Sequence, residues 1–373
     1  MTAWSPLAGM RVVEACERLV GPLAGWHLAM LGAEVIKVEP PEGDIARAWD
    51  GGALFDVINA GKRFAALDLA KPSARAAFER LCAGADAVLA DSGWSDQAAL
   101  KGSRRKGART SAAVIVDSGP VPGGTGNSET LAQAAMAVTP YVGEPEGAPV
   151  RIGADIASAS AAAAATQAVL AGLWRERDAA PLVARVSCDR ALAALKTIHW
   201  AARSDPDRWQ GYHLSAMARQ PDRGYRVRDG RVSLDFPPDK GAGWLAFCRE
   251  LGLAQFAAEV GDDWYSTIGM EDRIDWARKR YEDALAAYTR EEASALIRKH
   301  GGWSVAFLTP EEMLHHPQAA LYASAWLAGG APSVRLPWRV GDHAQGVHAP
   351  KAAPPIGAHS KEVLAELRAE VAS

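Results

Sequence analysis

Asp155 is the residue of this chain whose surroundings best suit covalent chemistry. It follows Pro149-Val-Arg-Ile-Gly-Ala and precedes a run of small residues, Ser158 to Ala165, that continues through Gln167 to Trp174. The alanines predict a helix, and Asp155 stands at its N-terminus. There the helix macrodipole favours negative charge and the first amides lack intrahelical partners. A carboxylate so placed is expected to stay ionised and to point out of the fold, as a nucleophile attacking an activated acyl group must. The simpler expectation is that Asp155 only caps the helix, since aspartate is a favoured N-cap.

Other arrangements with possible chemistry are weaker. Pro122-Gly-Gly-Thr-Gly126 has neither the lysine of a P-loop nor the spacing of a dinucleotide fingerprint, and reads as a flexible loop whose amides could touch a ligand. His-Glu-x-x-His, Cys-x-x-Cys and Gly-x-Ser-x-Gly are missing from the sequence. His315-His316 reads as a solvated turn before Pro317, because helix neighbours do not share a face. Lys62-Arg63 suits either a phosphate clamp or the exposed start of a strand. The 13 tryptophans are dispersed and suit core or interface positions.

The elements that must position these residues alternate in the first half. Strands are expected at Arg11–Ala15, Glu34–Val38, Arg63–Leu69, Ala87–Ala90 and Ala112–Val116. Helices are expected from Pro22 to Met30 and from Pro72 to Gly84, the latter with Ala76, Phe78 and Leu81 on its apolar face. Such alternation implies a doubly wound α/β sheet, which binds ligands beyond the carboxyl ends of its strands. After Ala202 the texture changes. Ser204 to Trp209 reads as a linker, and Tyr225 to Asp235 as a hairpin turning at Asp229-Gly230. Helices are then expected near Gly243–Leu251, Asp275–Tyr288 and Glu291–His300, with a last one starting near Ser360. The divisions are a large domain over 1–200, a linker over 201–225, a small α+β domain over 226–320, and a segment over 321–373 returning to the large domain.

Composition sets outer bounds. The chain is 49% hydrophobic and 23% charged with a net charge of −3, a balance that gives no footprint for nucleic acid or an anionic membrane. Cys16, Cys82, Cys188 and Cys248 lack metal or redox spacing and read as free thiols of a reducing compartment. Charges at Arg11, Glu14, Glu17 and Arg18 break any signal-peptide layout. No uncharged run is expected to reach membrane-spanning length, so a cytoplasmic location is expected.

The order of segments resembles the class III CoA-transferases, the carnitine and bile-acid CoA-transferase (CaiB/BaiF) family, which also includes formyl-CoA transferase and 2-methylacyl-CoA racemase. Pro6 to Glu14, Val20-Gly-Pro-Leu-Ala, Leu31 to Pro41 and Gly61 to Leu69 look like its opening signatures. Leu131-Ala-Gln-Ala-Ala, Asp155 with its helix, and Ala353 to Leu364 look like its later ones. The resemblance implies a Rossmann-like large domain with a smaller α+β domain, in an interlocked homodimer. It implies transfer of CoA from an acyl-CoA donor to a free carboxylic acid. Asp155 would act through a mixed anhydride and an aspartyl-CoA thioester. No metal and no resident cofactor is implied, coenzyme A entering as part of the substrate.

Family contacts to CoA map onto Arg18, Leu19 and Val20; onto Pro40; onto Leu67, Asp68, Leu69 and Ala70; and onto Asp91, Ser92 and Gly93. The pocket beside the nucleophile maps onto Asn127, Ser128 and Glu129. The chain departs from the pattern where Ala90-Asp-Ser-Gly-Trp-Ser95 replaces a Glu-Asn-Phe-Arg-Pro-Gly motif, and where Asp178-Ala-Ala-Pro181 replaces an arginine-rich turn. The glycine loop of oxalate-type members has no clear counterpart. Two alternatives follow. A 2-methylacyl-CoA racemase would need histidine where Ser128 stands, before the acid Glu129. A non-catalytic subunit of the same fold would fit the altered nucleotide-seating segment.

Overall fold

The structure, a computed structural model, describes residues 5–93, 95–104, 106, 108–117, 128–139, 148–174, 180–204, 224–268, 274–317, 323–326, 332–334 and 352–372. The chain divides into two compact units. One comprises residues 1–138, 151–198 and 317–373, and the other 139–150 and 199–316.

The first unit is built on six strands. They are β1 (Arg11–Ala15), β2 (Glu34–Glu39), β3 (Arg63–Ala66), β4 (Ala87–Asp91), β5 (Ala112–Val116) and β6 (Leu182–Val186). They pair in the order β3-β2-β1-β4-β5-β6, every pair parallel. This is the doubly wound order, with its switch point between β1 and β4. β4 and β5 are buried along their whole lengths, which is why Ala-Val-Leu-Ala and Ala-Ala-Val-Ile-Val read as unbroken apolar runs. β6 was not anticipated, because it is an edge strand whose first four residues alternate between part-buried and exposed.

Helices α1 (Val20–Met30), α2 (Ala53–Ile58), α3 (Pro72–Gly84), α4 (Asp96–Ser103), α5 (Glu129–Ala135), α6 (Ile156–Leu173) and α7 (Cys188–Leu195) accompany the sheet, and α8 (Thr197–Ser204) follows. In α3 the buried face carries Ala77, Phe78, Leu81 and Cys82, so Ala77 takes the place expected of Ala76. The helix α6 packs on α1, β5 and α7. Small residues permit that approach: a Cβ on Gly172 would come within 2.4 Å of the Ala112 Cβ. Contrary to expectation, α6 is long and apolar enough by length and composition to cross a membrane. Here Ala157, Ala161, Ala162, Ala165 and Val169 on it are buried against the sheet layer.

The β3 edge does not end in free backbone groups. The Phe64 amide donates to His359 Nδ1 at 3.0 Å, the His359 amide to the Phe64 carbonyl at 2.9 Å, and the Ala66 amide to Ser360 Oγ at 2.9 Å. The following helix, given by Ser360–Ala372, brings Glu366 onto Arg11 and Arg63. The late Pro-Pro-Ile-Gly-Ala-His-Ser motif is thus an edge cover.

The second unit contains the expected hairpin, of β7 (Tyr225–Val227) and β8 (Gly230–Val232), but it turns at Arg228-Asp229, one residue before the expected Asp229-Gly230, because Gly230 already pairs with Val227. It adds α9 (Gly241–Glu250), α10 (Ala254–Val260), α11 (Ile274–Leu285), α12 (Arg290–Lys299) and α13 (Pro310–His315). Its core is aromatic. Trp244 stacks on Trp264 at 5.5 Å and donates its Nε1–H to Tyr281 Oη at 2.8 Å, while Tyr281 meets Tyr225 edge to face. In the chain's last part β9 (Ala323–Trp326) pairs antiparallel with β10 (Pro332–Val334), and Ser360–Ala372 completes the helices as α14.

Candidate active site

The residue at the N-cap position of α6 is Asp155, as the sequence implies, yet its carboxylate makes no capping bond. The cap comes from α5 instead. Glu129 Oε1 accepts the Ala157 amide at 3.0 Å, and Oε2 accepts the Ser158 amide at 2.8 Å and the Ser158 hydroxyl at 2.9 Å. Gln133 donates to Glu129 Oε1 at 2.6 Å. Partial burial opposes ionisation of Glu129, but these four donors outweigh it and hold its pKa below the ordinary carboxylate value.

With the helix amides taken, Asp155 points outward. It is exposed, its side chain keeping half of its accessible surface, and Oδ1 is ion-paired with Arg151 one turn earlier in the chain. Asp155 lines a cavity of about 510 Å³ together with Arg18, Leu19, Val20, Trp49, Asp50, Leu54, Glu129 and Ser158.

A buried charge cluster supports Arg18, another residue of that cavity's lining. Glu14 on β1 accepts Lys37 Nζ at 3.0 Å and Lys62 Nζ at 2.7 Å, and Lys37 also pairs with Asp44 at 2.9 Å. All four side chains are inaccessible. Burial opposes the charge on Glu14, but the two ammonium groups prevail and lower its pKa. Burial, abetted by Lys37, takes Lys62 down to about 8 despite Glu14. Asp44 then spends Oδ1 on the backbone, accepting the Arg18 amide at 3.0 Å and the Ala46 amide at 2.9 Å. Arg18 is held at a φ of +69°, in the left-handed region. The cluster thereby fixes the backbone at Arg18, which lines the cavity with Asp155, and at Ala46, at the start of the segment that brings Trp49 to the same cavity. Close approach of α1 to the cluster requires Gly25, where a Cβ would lie 2.0 Å from Glu14 Oε2.

A second cavity, of about 590 Å³, opens beyond the carboxyl ends of the strands. Glu17, Pro40, Pro41, Glu42, Leu67, Asp68, Leu69, Ala70, Arg75, Gly93, Gln97 and Ala98 line it. Arg75 is steadied by two bonds to the Leu69 carbonyl, at 2.9 and 3.2 Å. Beneath lies Asp91 at the end of β4, with Oδ2 accepting the Glu17 amide at 2.8 Å. Burial raises its carboxyl to about 7.

The expected site residues therefore fall in two groups. Arg18, Leu19, Val20 and Glu129 surround Asp155, while Pro40, Leu67, Asp68, Leu69, Ala70 and Gly93 line the second cavity. Asp91 is buried under that second group and Ser92 extends β4 by a bond to the Val116 carbonyl. Ser128 caps α5 through the Leu131 amide. Asn127, the glycine loop Pro122–Gly126, Trp94 and Asp178 lie outside the described residues. Lys62 and Arg63 are neither a phosphate clamp nor an exposed pair: the first is in the buried cluster, and the second binds Glu34 and Glu366. His315 and His316 are exposed at the end of α13, as expected. The four cysteines are free and buried. Among the described residues no group of three or more His, Cys, Asp or Glu could hold a metal ion. Sequence reasoning missed Arg151, Ser158, Trp49, Asp50 and Leu54. The spacing of Arg151 four residues before Asp155, and of Ser158 three residues after it, could have exposed these two; Trp49, Asp50 and Leu54 reach the cavity through long-range packing.

The fold is thus a doubly wound α/β sheet with one cavity beyond its strand ends and, beside it, a second that Asp155 lines. The chain belongs to CoA-transferase family III, whose sequence model matches residues 7–360. It is similar to the succinate–glutarate CoA-transferase of Agrobacterium fabrum, at 44% identity over 97 residues. That stretch is 22% of this chain and spans only 24% of the length of that relative. Similarity to the mouse succinyl-CoA:glutarate CoA-transferase is more extended, at 26% identity over 317 residues, or 78% of this chain and 68% of the other. In fold it resembles the crystal structure of a CaiB/BaiF family protein from Brucella suis, with TM-score 0.78 at 22% identity, covering 97% of this chain and 99% of that one.

Proposed function

We propose that this protein moves CoA from an acyl-CoA donor to a free carboxylic acid, with Asp155 as the covalent nucleophile. The observation that carries this reading is that Asp155 stands at a helix mouth without capping it, exposed on a cavity wall. A carboxylate Oδ attacks the thioester carbonyl, the C–S bond breaks and CoA leaves as thiolate. The thiolate then attacks the aspartyl carbonyl of the anhydride, releasing the donor acid as carboxylate and leaving an aspartyl-CoA thioester. The acceptor carboxylate attacks that thioester and expels the thiolate, which in turn attacks the acceptor acyl carbon and regenerates Asp155. Electron pairs balance and no net proton is consumed. Each difficult substitution becomes two easier ones. Arg151 beside Asp155 can offset charge developing on the tetrahedral oxygen.

The two cavities flank one loop: Glu17 faces one and its neighbour Arg18 the other. A ligand with a long arm could seat its nucleotide against Pro40, Leu67 and Leu69 near Arg75, and lead its thioester past Val20 to Asp155. Among the described residues that line the Asp155 cavity, Arg18 supplies a cation for a second carboxylate of a dicarboxylic acyl group. With relatives named for succinyl-CoA and glutarate, succinyl-CoA is the donor to test first. The exposed apolar residues Trp174, Leu195 and Leu131 support the further proposal that a second copy of the chain covers them in an interlocked homodimer. The racemase reading is disfavoured, since Ser128 spends its hydroxyl on the α5 cap and has no basic ring nitrogen.

The test is exchange of labelled succinate into succinyl-CoA, followed by hydroxylamine treatment and peptide mass analysis. An adduct on Asp155 and loss of exchange in Asp155→Ala are expected. Turnover persisting in Asp155→Ala would overturn the assignment.

A further inference from the structure

We propose that Glu129 is a positioning residue whose task is to occupy the amides that Asp155 would otherwise cap, keeping the nucleophile turned toward the cavity. The inference deepens the transferase reading and rests on it. Asp155 is the N-cap of α6, so Ala157 and Ser158 are the second and third helical residues, the two whose amides an N-cap aspartate normally binds. Glu129 holds both. The segment before Asp155 is bracketed from the same helix: Gln133 Oε1 accepts the Ile152 amide at 2.8 Å, and its Nε2 donates to the Ala154 carbonyl at 3.2 Å as well as to Glu129. Two residues of α5, four apart and so on one face, therefore clamp the chain on both sides of Asp155. The clamp leaves that carboxylate with Arg151 alone as a described ion-pair partner.

Without Glu129 the two amides and the Ser158 hydroxyl lose their acceptor, and Asp155 is the acceptor already positioned by chain geometry to replace it. Once folded back, its oxygens are bound to the helix and directed away from the thioester carbonyl. The distinguishing experiment compares Glu129→Ala and Glu129→Gln with the native protein by steady-state kinetics and by crystallography. For Glu129→Ala we expect kcat to fall by about 100-fold, the scale of a misplaced reacting group, with KM for the acyl-CoA within about twofold, the signature of ground-state binding left intact. The crystal structure should show Asp155 within hydrogen-bond distance of the Ala157 or Ser158 amide. Glu129→Gln, which keeps one acceptor oxygen, should recover most of the rate and leave Asp155 outward. A rise in KM at unchanged kcat would overturn the proposal in favour of direct substrate contact. So would an outward Asp155 in Glu129→Ala with water on the freed amides. The crystallographic comparison needs no turnover, so an inactive native protein would refute the transferase reading while this inference is still decided.

Discussion

The Asp44 carboxylate binds the Arg18 amide at 3.0 Å while its other oxygen pairs with Lys37 at 2.9 Å, so a buried ion pair also sets the backbone of one wall of the cavity that Asp155 lines. Removing one partner of such a pair leaves the other charge buried and uncompensated, at a cost of about 3–5 kcal/mol. Asp44→Ala should lose stability on that scale in urea unfolding at pH 7. Asp44→Asn, which can still accept the Arg18 and Ala46 amides, should lose less. Equal losses would place all the cost on the charge and none on the loop.

Asp91 should tie stability to pH in the sense opposite to most carboxylates. Its folded-state pKa is raised to about 7 from 3.8, chiefly by burial, so between those values the folded state holds a proton that the unfolded state has released. Its contribution is therefore absent below the lower value, grows into a cost as pH rises between the two, and is complete above the upper one. Asp91→Asn, which can still accept the Glu17 amide, should be more stable than the native protein at pH 8. The gain should be on the order of a few kcal/mol and should shrink toward zero by pH 4. Urea titrations at the two pH values would read it, and a gain independent of pH would contradict the assignment.

The central sheet was largely legible because its strands are buried on both faces: Ala112–Val116 was found to the residue, as was α3 at Pro72–Gly84. β6 was missed because an edge strand carries no such run, and α4 because its segment, Asp96 to Ser103, begins amid turn-forming residues. At the site, the position of Asp155 was readable and its behaviour was not. An N-cap aspartate reads as a cap from local spacing alone, whereas the competing acceptor, Glu129, lies 26 residues earlier in the chain. Lys62-Arg63 misled for the same reason. A basic pair on paper says nothing of Glu14, 48 residues away, which buries Lys62.

Gly25→Ala should be among the most damaging single-methyl additions. The new Cβ would fall 2.0 Å from Glu14 Oε2 and 3.2 Å from Lys62 Nζ, so either α1 lifts or the charge cluster opens. Overpacking alone costs about 1–3 kcal/mol, and breaking a buried pair adds to it. Gly153→Ala, where a Cβ meets nothing within 4 Å, is the control and should change the unfolding midpoint little.

Arg151→Gln separates folding from chemistry. Its pair with Asp155 is substantially exposed, and such pairs are worth about 0.2–1 kcal/mol, so urea unfolding should scarcely move. In the proposed reaction the same guanidinium faces the carbon attacked by Asp155. Loss of one donor to a developing oxyanion costs about 10²–10³ in kcat, and a decline of at least the smaller factor is expected from succinyl-CoA exchange rates. Hydroxylamine trapping should still label Asp155, more slowly, because the nucleophile itself remains. Were the exchange rate unchanged, Arg151 would be a resting partner of the carboxylate only, and the oxyanion would need another donor from the walls around Val20 and Ser158.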